Sequence, residues 1–204
     1  MVSPPQQTGL RGVGAQVVTR PLVAAELPAL ADLFAGSWST RHCRCTSFCS
    51  TRREFTLGWF GGGNERRFAA MAATGDSPIG VLAWRADQAV GWCACGPRSR
   101  YAVDTPRTRM IRDRVGDERG LVWFLPCFLV RADCRGQGIT GVLARAAVQL
   151  ARDAGAVAVE GWPVADSSDR PAAAFVGRES VLREMGFRPV AWPSTGRVIM
   201  RLDL

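Results

Sequence analysis

The residues best suited to chemistry in this chain fall between Arg135 and Glu160. Arg135-Gly136-Gln137-Gly138-Ile139-Thr140-Gly141 places three glycines at the start of an amphipathic stretch. Glycines there let consecutive backbone N–H groups turn toward one point without Cβ obstruction, where a helix N-terminus adds its partial positive charge. The product is an anion cradle, most naturally for phosphate. Glu160 ends an apolar run, AVAVE, where a carboxylate is costly to bury without a partner. It is a candidate general base, and an ordinary ion pair with one of the chain's arginines is the competing reading. A second group, His42-Cys43-Arg44-Cys45 with Cys49, offers an imidazole and thiols. His42 is the rival base. Zinc is the other use for these groups, but C-x-C has poor bite for one ion and no C-x-x-C loop occurs, so packed thiols and no metal are expected.

These residues need elements to hold them. Leu121 to Val130 is an almost unbroken apolar run, as expected of a strand covered on both faces. Pro126 within it cannot donate to a ladder and predicts a bulge. Ile139, Val142, Leu143, Ala146, Ala147 and Leu150 recur at three- and four-residue steps, with Arg145, Gln149 and Arg152 on the other face. That spacing predicts a helix, ended by Gly155. Ala156 to Val159 resumes a buried strand, giving a β-α-β unit with a parallel pair.

Upstream, Ala15 to Arg20 reads as an edge strand, and a helix begins near Glu26 because Pro28 suits a first turn. Gly36 to Gly63 has no clear period. Asn64 can cap a short helix through Ala73. Pro78 to Trp84 and Gln88 to Cys95 form a hairpin across Ala86-Asp87. Pro97 to Gly120 reads as loop with a short helix. Trp38, Trp59, Trp84 and Trp92 could wall an enclosed pocket, with core packing as the alternative for each.

Composition bounds the class. With 204 residues, 47% of them hydrophobic, the chain can bury one core, read as a flexible leader over 1–14 and a single domain over 15–204. No apolar run is long enough to span a bilayer, and seven scattered cysteines suit a reducing cytoplasm. The net charge of +8 comes from arginine alone, since lysine is absent. It would draw in an anionic ligand, although arginines spread over solvated surface explain most of it. The cluster from Arg98 to Arg114 lacks interleaved aromatics beyond Tyr101, which disfavours nucleic acid.

Two families place such a cradle between strand and helix. Gly136, Gly138 and Gly141 satisfy the dinucleotide pattern G-x-G-x-x-G, with Glu160 about 20 residues on as a ribose-binding acid. Five residues nevertheless separate the strand from the first glycine, and the stretch after Glu160 is short for a doubly wound sheet. Arg135 to Thr140 resembles instead motif A of the GNAT superfamily of acyl-CoA N-acyltransferases, Arg/Gln-x-x-Gly-x-Gly/Ala, with Thr140 at its last position. Ser180 to Phe187, a helix running into Gly186-Phe187, is similar to the superfamily's C-terminal hallmark.

The resemblance implies an α/β fold with a mixed, mostly antiparallel sheet, a central parallel pair that splays to admit coenzyme A, and helices on both faces. It implies acetyl-CoA as acyl donor and a primary amine, of a small molecule, as acceptor in direct attack on the thioester. A protein amine, on lysine or an N-terminus, is the competing acceptor, and a non-catalytic acyl-CoA-binding module is the alternative of another class. The oligomeric state stays open. Backbone groups of Leu129, Val130 and Arg131 would pair with the pantetheine amides, one N–H polarising the thioester carbonyl. Gly136, Gln137, Gly138, Ile139, Thr140 and Gly141 would hold the pyrophosphate, supported by Arg135. Leu182 stands where the superfamily commonly has a tyrosine that protonates the leaving thiolate, leaving Ser180, a water or direct thiolate release. From the spacing of the cysteines, elemental analysis is expected to find no stoichiometric zinc; about one zinc per chain, with loss of fold on chelation, would contradict the packed-thiol reading.

Overall fold

In the computed structural model, which describes residues 16–36, 38–74, 77–101, 121–166, 175–194 and 196–204, the apolar runs of the sequence meet in one sheet. Its strands are β1 (Val17–Pro21), β2 (Gly80–Arg85), β3 (Gln88–Pro97), β4 (Val122–Val130), β5 (Ala158–Gly161), β6 (Arg188–Ser194) and β7 (Arg197–Asp203). They lie in the order β1-β2-β3-β4-β5-β7-β6. Neighbours are antiparallel except β4 and β5, which run parallel as the β-α-β spacing requires. The expected leader and most of the Pro97–Gly120 loop fall outside the described residues.

The helices are α1 (Leu27–Ala35), α2 (Trp38–Arg41), α3 (Arg52–Phe60), α4 (Gly63–Thr74), α5 (Ile139–Asp153) and α6 (Glu179–Arg183). Pro28 sits in the first turn of α1, where its missing N–H costs nothing. A capping box opens α3: the Glu54 N–H donates to Thr51 Oγ1 at 3.3 Å, and the Thr51 N–H donates to Glu54 Oε2 at 2.8 Å. Strand alternation then sorts the core. Leu30 and Phe34 of α1 and Phe68 of α4 pack with Trp92, Ala94 and Phe124 on one face. Leu143, Ala147 and Ala151 of α5 pack with Cys93, Cys95 and Trp123 on the other.

Three details differ from the sequence expectations. Asn64 is no cap; it lies inside α4, buried, where its Nδ2 donates to the carbonyls of His42 (3.0 Å) and Phe55 (3.2 Å). The strand after α5 starts at Ala158, because the Ala156 N–H returns to the Ala151 carbonyl at 3.0 Å and closes the helix end. The four tryptophans do not wall one pocket: Trp92 is wholly buried in the core, Trp84 stacks under Arg20 at 4.7 Å, and Trp38, 72% exposed, and Trp59 flank His42. Among the described residues no helix is long and apolar enough to cross a membrane.

The hairpin of β2 and β3 is packed to a limit at Gly80. A Cβ there would stand 2.1 Å from Trp92 Cη2 and 2.4 Å from the Cys93 carbonyl oxygen, and the latter is held in the ladder. Gly80→Ala is therefore expected to lower stability by about 3 kcal/mol in urea unfolding. An unchanged midpoint would show that the hairpin can open to receive a methyl group.

Candidate active site

The pairing of β4 with β5 runs from Val122 beside Ala158 to Leu125 beside Gly161, and there it stops. The Arg131 N–H donates to the Val90 carbonyl at 3.0 Å, so Arg131, Leu129 and Cys127 turn their backbone groups to β3. Pro126, Phe128 and Val130 turn theirs to the β5 side. Had the parallel register continued, Pro126 would lie beside Trp162, donating its own N–H to Gly161 and accepting from the N–H of residue 163. Residue 163 is proline too, so neither donor exists. The expected bulge is present: Ala94 pairs with Cys127 and Gly96 with Phe124, so Cys95 faces both Leu125 and Pro126. It reverses the alternation of β4. Phe124 shares a core face with Cys127 and Leu129, whereas Phe128 joins Trp123 and Leu125 on the other.

Beyond the fork, the chain after β5 keeps to β7, with Val164 bridging Arg197. Its other edge is taken by the segment from Gly177 to Glu179. The Val164 N–H donates to the Gly177 carbonyl at 3.0 Å and the Glu179 N–H to the Val164 carbonyl at 2.9 Å. Between that segment and β4 lies a cleft of about 830 Å³. Phe128 and Val130 form one wall, Val164, Phe175 and Gly177 another, and the glycine turn with the first turns of α5 a third.

The turn is built as the sequence suggests. Gly136 and Gly138 have φ of +73° and +75°, and a Cβ on either would meet nothing within 4 Å. Among the described residues, no acceptor meets the N–H groups of Gly136, Gln137, Gly138, Ile139 and Thr140. The first inward bonds are those of Gly141 and Val142 to the Gly138 carbonyl, at 3.0 and 3.2 Å. Among the described residues lining the cleft, Arg135, Arg145 and Arg178 stand against the one carboxylate of Glu184. An open row of donors at a helix start, with three guanidinium groups in the same cleft lining, has the chemistry to hold a phosphate.

The other expected residues divide. Val130 offers its backbone to the cleft, although its carbonyl accepts from Arg135 Nε at 3.3 Å. Leu129 and Arg131 do not, and the Arg131 side chain reaches Asp32 at 2.5 Å. The Gln137 side chain is turned away, held by Arg85 at 2.6 Å and by the Asp133 carbonyl at 3.1 Å. Ile139 is buried over Gly91, while Thr140 and Gly141 line the cleft. Sequence reasoning missed Phe128, Arg145 and Arg178. Period-two spacing back from Val130 gives Phe128, and one helical turn beyond Gly141 gives Arg145. Nothing in the sequence signals Arg178, which arrives through the bridge to Val164.

Glu160 is 1% exposed, with Oε2 3.0 Å from Arg98 and Oε1 3.5 Å from Arg201. His42 sits between the rings of Trp38 and Trp59, centroids 6.0 and 5.5 Å away, apart from the cleft lining. Burial pushes the Cys43 thiol up to about 11 and the Cys49 and Cys95 thiols up to about 12. They are protonated at neutral pH, as packed thiols are. Among the described residues no group of three or more His, Cys, Asp or Glu gathers where it could hold a metal ion. Leu182 is buried against Gly161 at the base of the fork, and Tyr101 is buried with its ring 5.8 Å from Phe124.

Residues 36–178 match the model of the acetyltransferase (GNAT) family, and the chain belongs to that family. It is an acyltransferase. No curated protein matches it in sequence. In fold it is similar to PaiA N-acetyltransferase from Thermoplasma acidophilum, solved in complex with coenzyme A: 11% identity, TM-score 0.54, with 93% of this chain and 99% of that one covered. It is similar also to yncA from Salmonella typhimurium, solved with its cofactor acetyl-CoA: 14% identity, TM-score 0.57, coverage 92% and 94%. A third is the ribosomal-protein-alanine N-acetyltransferase from Brucella melitensis, at 17% identity and TM-score 0.55, with coverage of 92% and 99%.

The open space at Gly138 gives a direct test of the cradle. In Gly138→Glu a carboxylate enters the row of donors, and its side chain must also tolerate a left-handed φ. Calorimetry is expected to show coenzyme A binding weakened about a hundredfold or more. Unchanged affinity in a folded variant would remove the phosphate site from this turn.

Proposed function

We propose that the protein is a single-domain, cytoplasmic N-acetyltransferase that moves the acetyl group of acetyl-CoA to a primary amine of a small molecule. The observation that carries this is the fork of β4 and β5 opening beside a glycine turn whose N–H groups have no acceptor among the described residues. In this reading the N–H groups of residues 136–140 hold the pyrophosphate, and Arg135, Arg145 and Arg178 balance its charge. The outward-turned backbone of Phe128 and Val130 pairs with the pantetheine amides as a partial extra strand, and one of these N–H groups polarises the thioester carbonyl. The neutral amine attacks that carbonyl directly. The C–S bond breaks as the C–N bond forms, and because Leu182 brings no hydroxyl to the fork, the proton lost by the amine passes through water to the departing thiolate.

Glu160 has a different part here from the base suggested by its place in the sequence. Both carboxylate oxygens lie within salt-bridge distance of a guanidinium, so accepting a proton would require a pair to open. The geometry supports an ion pair that ties the end of β5 to Arg98, just after β3, and to Arg201 on β7. A protein amine is the second reading for the acceptor, for which the exposed Trp38, Leu57 and Phe60 of α2 and α3 offer apolar side chains to a peptide.

Mass spectrometry of a panel of amines and peptides incubated with acetyl-CoA tests the activity. Acetylated small amines are expected; acetylated peptides alone would transfer the assignment to a protein acceptor, and coenzyme A binding without any product would leave a binding module. In a companion variant, Glu160→Gln is expected to keep kcat/KM within about tenfold of wild type while losing about 3 kcal/mol of stability, because Arg98 is left buried beside a neutral amide. A hundredfold fall with stability intact would instead establish Glu160 as the base.

A further inference from the structure

We propose that Trp162 is a positioning residue, a rigid spacer whose indole N–H spans the fork and fixes how far β5 stands from β4. The inference rests on the fork being the acyl donor's site. Trp162 is the first residue after the last paired position, Gly161, and Pro126 is its counterpart on β4. Pro163 cannot supply the N–H that the Pro126 carbonyl would accept in a continued ladder. Trp162 Nε1 donates to that carbonyl instead, at 3.2 Å and in a buried setting. A ladder bond would hold the two backbones about 4.8 Å apart. With the width of an aromatic ring inserted between donor and backbone, the same acceptor is satisfied at a larger separation.

The ring is held from several sides. Phe48 meets it edge-on with centroids 5.5 Å apart, Phe124 lies tilted at 6.3 Å, and the Arg197 guanidinium covers it at 5.3 Å. Arg197 Nη1 also donates to the Trp162 carbonyl at 3.4 Å, so side chain and backbone are fixed together. A ring so restrained transmits its dimensions to the strands. The fork width then sets whether Phe128 and Val130 can receive an extended chain on their open edge.

Two substitutions separate spacing from packing. Trp162→Phe keeps a ring for Phe48 and Phe124 but has no donor. Trp162→His keeps an N–H at the ring position of Nε1 and loses the benzo ring. In Trp162→Phe the calorimetric Kd for coenzyme A and the KM for acetyl-CoA are expected to rise about tenfold with kcat close to wild type, and the melting temperature to fall by a few degrees because the buried Pro126 carbonyl loses its donor. In Trp162→His the melting temperature should fall while Kd stays within about threefold. Pro163→Ala restores the missing backbone donor, and the competing ladder bond should weaken coenzyme A binding as well. Wild-type affinity in Trp162→Phe, or in Pro163→Ala, would overturn the proposal, as would affinities that simply follow stability across the set. If wild-type protein itself fails to bind coenzyme A, the site reading falls and this proposal with it. Binding by wild type with no change in the variants strikes the spacer alone.

Discussion

A parallel pair of strands stays closed only while each residue facing the seam has its N–H, and here the seam runs into Pro126 on one side and Pro163 on the other. Four paired positions, Val122 to Leu125, can form; a fifth would lack both donors. The cleft follows from that. The bulge at Leu125–Pro126 changes which side chains of β4 face which core, so Phe128 is brought to the cleft wall beside Val130. The vacated edge beyond β5 is filled by Gly177 to Glu179, which carries Arg178 to the opposite wall.

Chemistry enters at the other end of the cleft, where α5 begins without a side-chain cap. The first N–H groups of a helix have no partner within it and are met by a capping side chain or by water, a side-chain cap contributing about 1 kcal/mol. Gly138 occupies the cap position in a left-handed conformation and offers none, which leaves these N–H groups open to a ligand. Arg135 and Arg145 on the turn and helix, with Arg178 across from them, give that ligand its sign. The fork and the cradle share one wall, β4 and the turn that follows it. A molecule with an anionic end and an extended amide-bearing arm matches both.

Much of this was legible in the residues. The apolar run from Leu121 and the regular spacing from Ile139 to Leu150 are extreme enough that the unit of β4, α5 and β5 could be read directly, and the glycine turn with it. The offset of β5 by two residues was not, because Ala156 and Val157 are as apolar as a strand, but the Ala156 N–H closes the helix end and the Val157 N–H meets the Leu121 carbonyl at 2.8 Å ahead of the regular ladder. Asn64 misled for a similar reason. The glycines before it suggest a loop, yet Gly63 lets α4 approach α3 so closely that a Cβ on it would lie 2.9 Å from the Gly58 Cα, and Asn64 is drawn into that crossing. Glu160 was legible as a buried acid needing a partner, but Arg98 is 62 residues away and only the sheet brings the two together. Arg178 and the cleft wall it belongs to depend on long-range pairing that no local pattern encodes.

The central claim is that the opening forced by Pro126 and Pro163 receives the acyl donor, and a crystal structure of the protein with coenzyme A tests it most directly. The pyrophosphate is expected within hydrogen-bond distance of the N–H groups of residues 136–140, with an amide of the pantetheine arm paired to the backbone of Val130. Coenzyme A bound elsewhere with the fork empty, or strands β4 and β5 paired past Leu125, would contradict it.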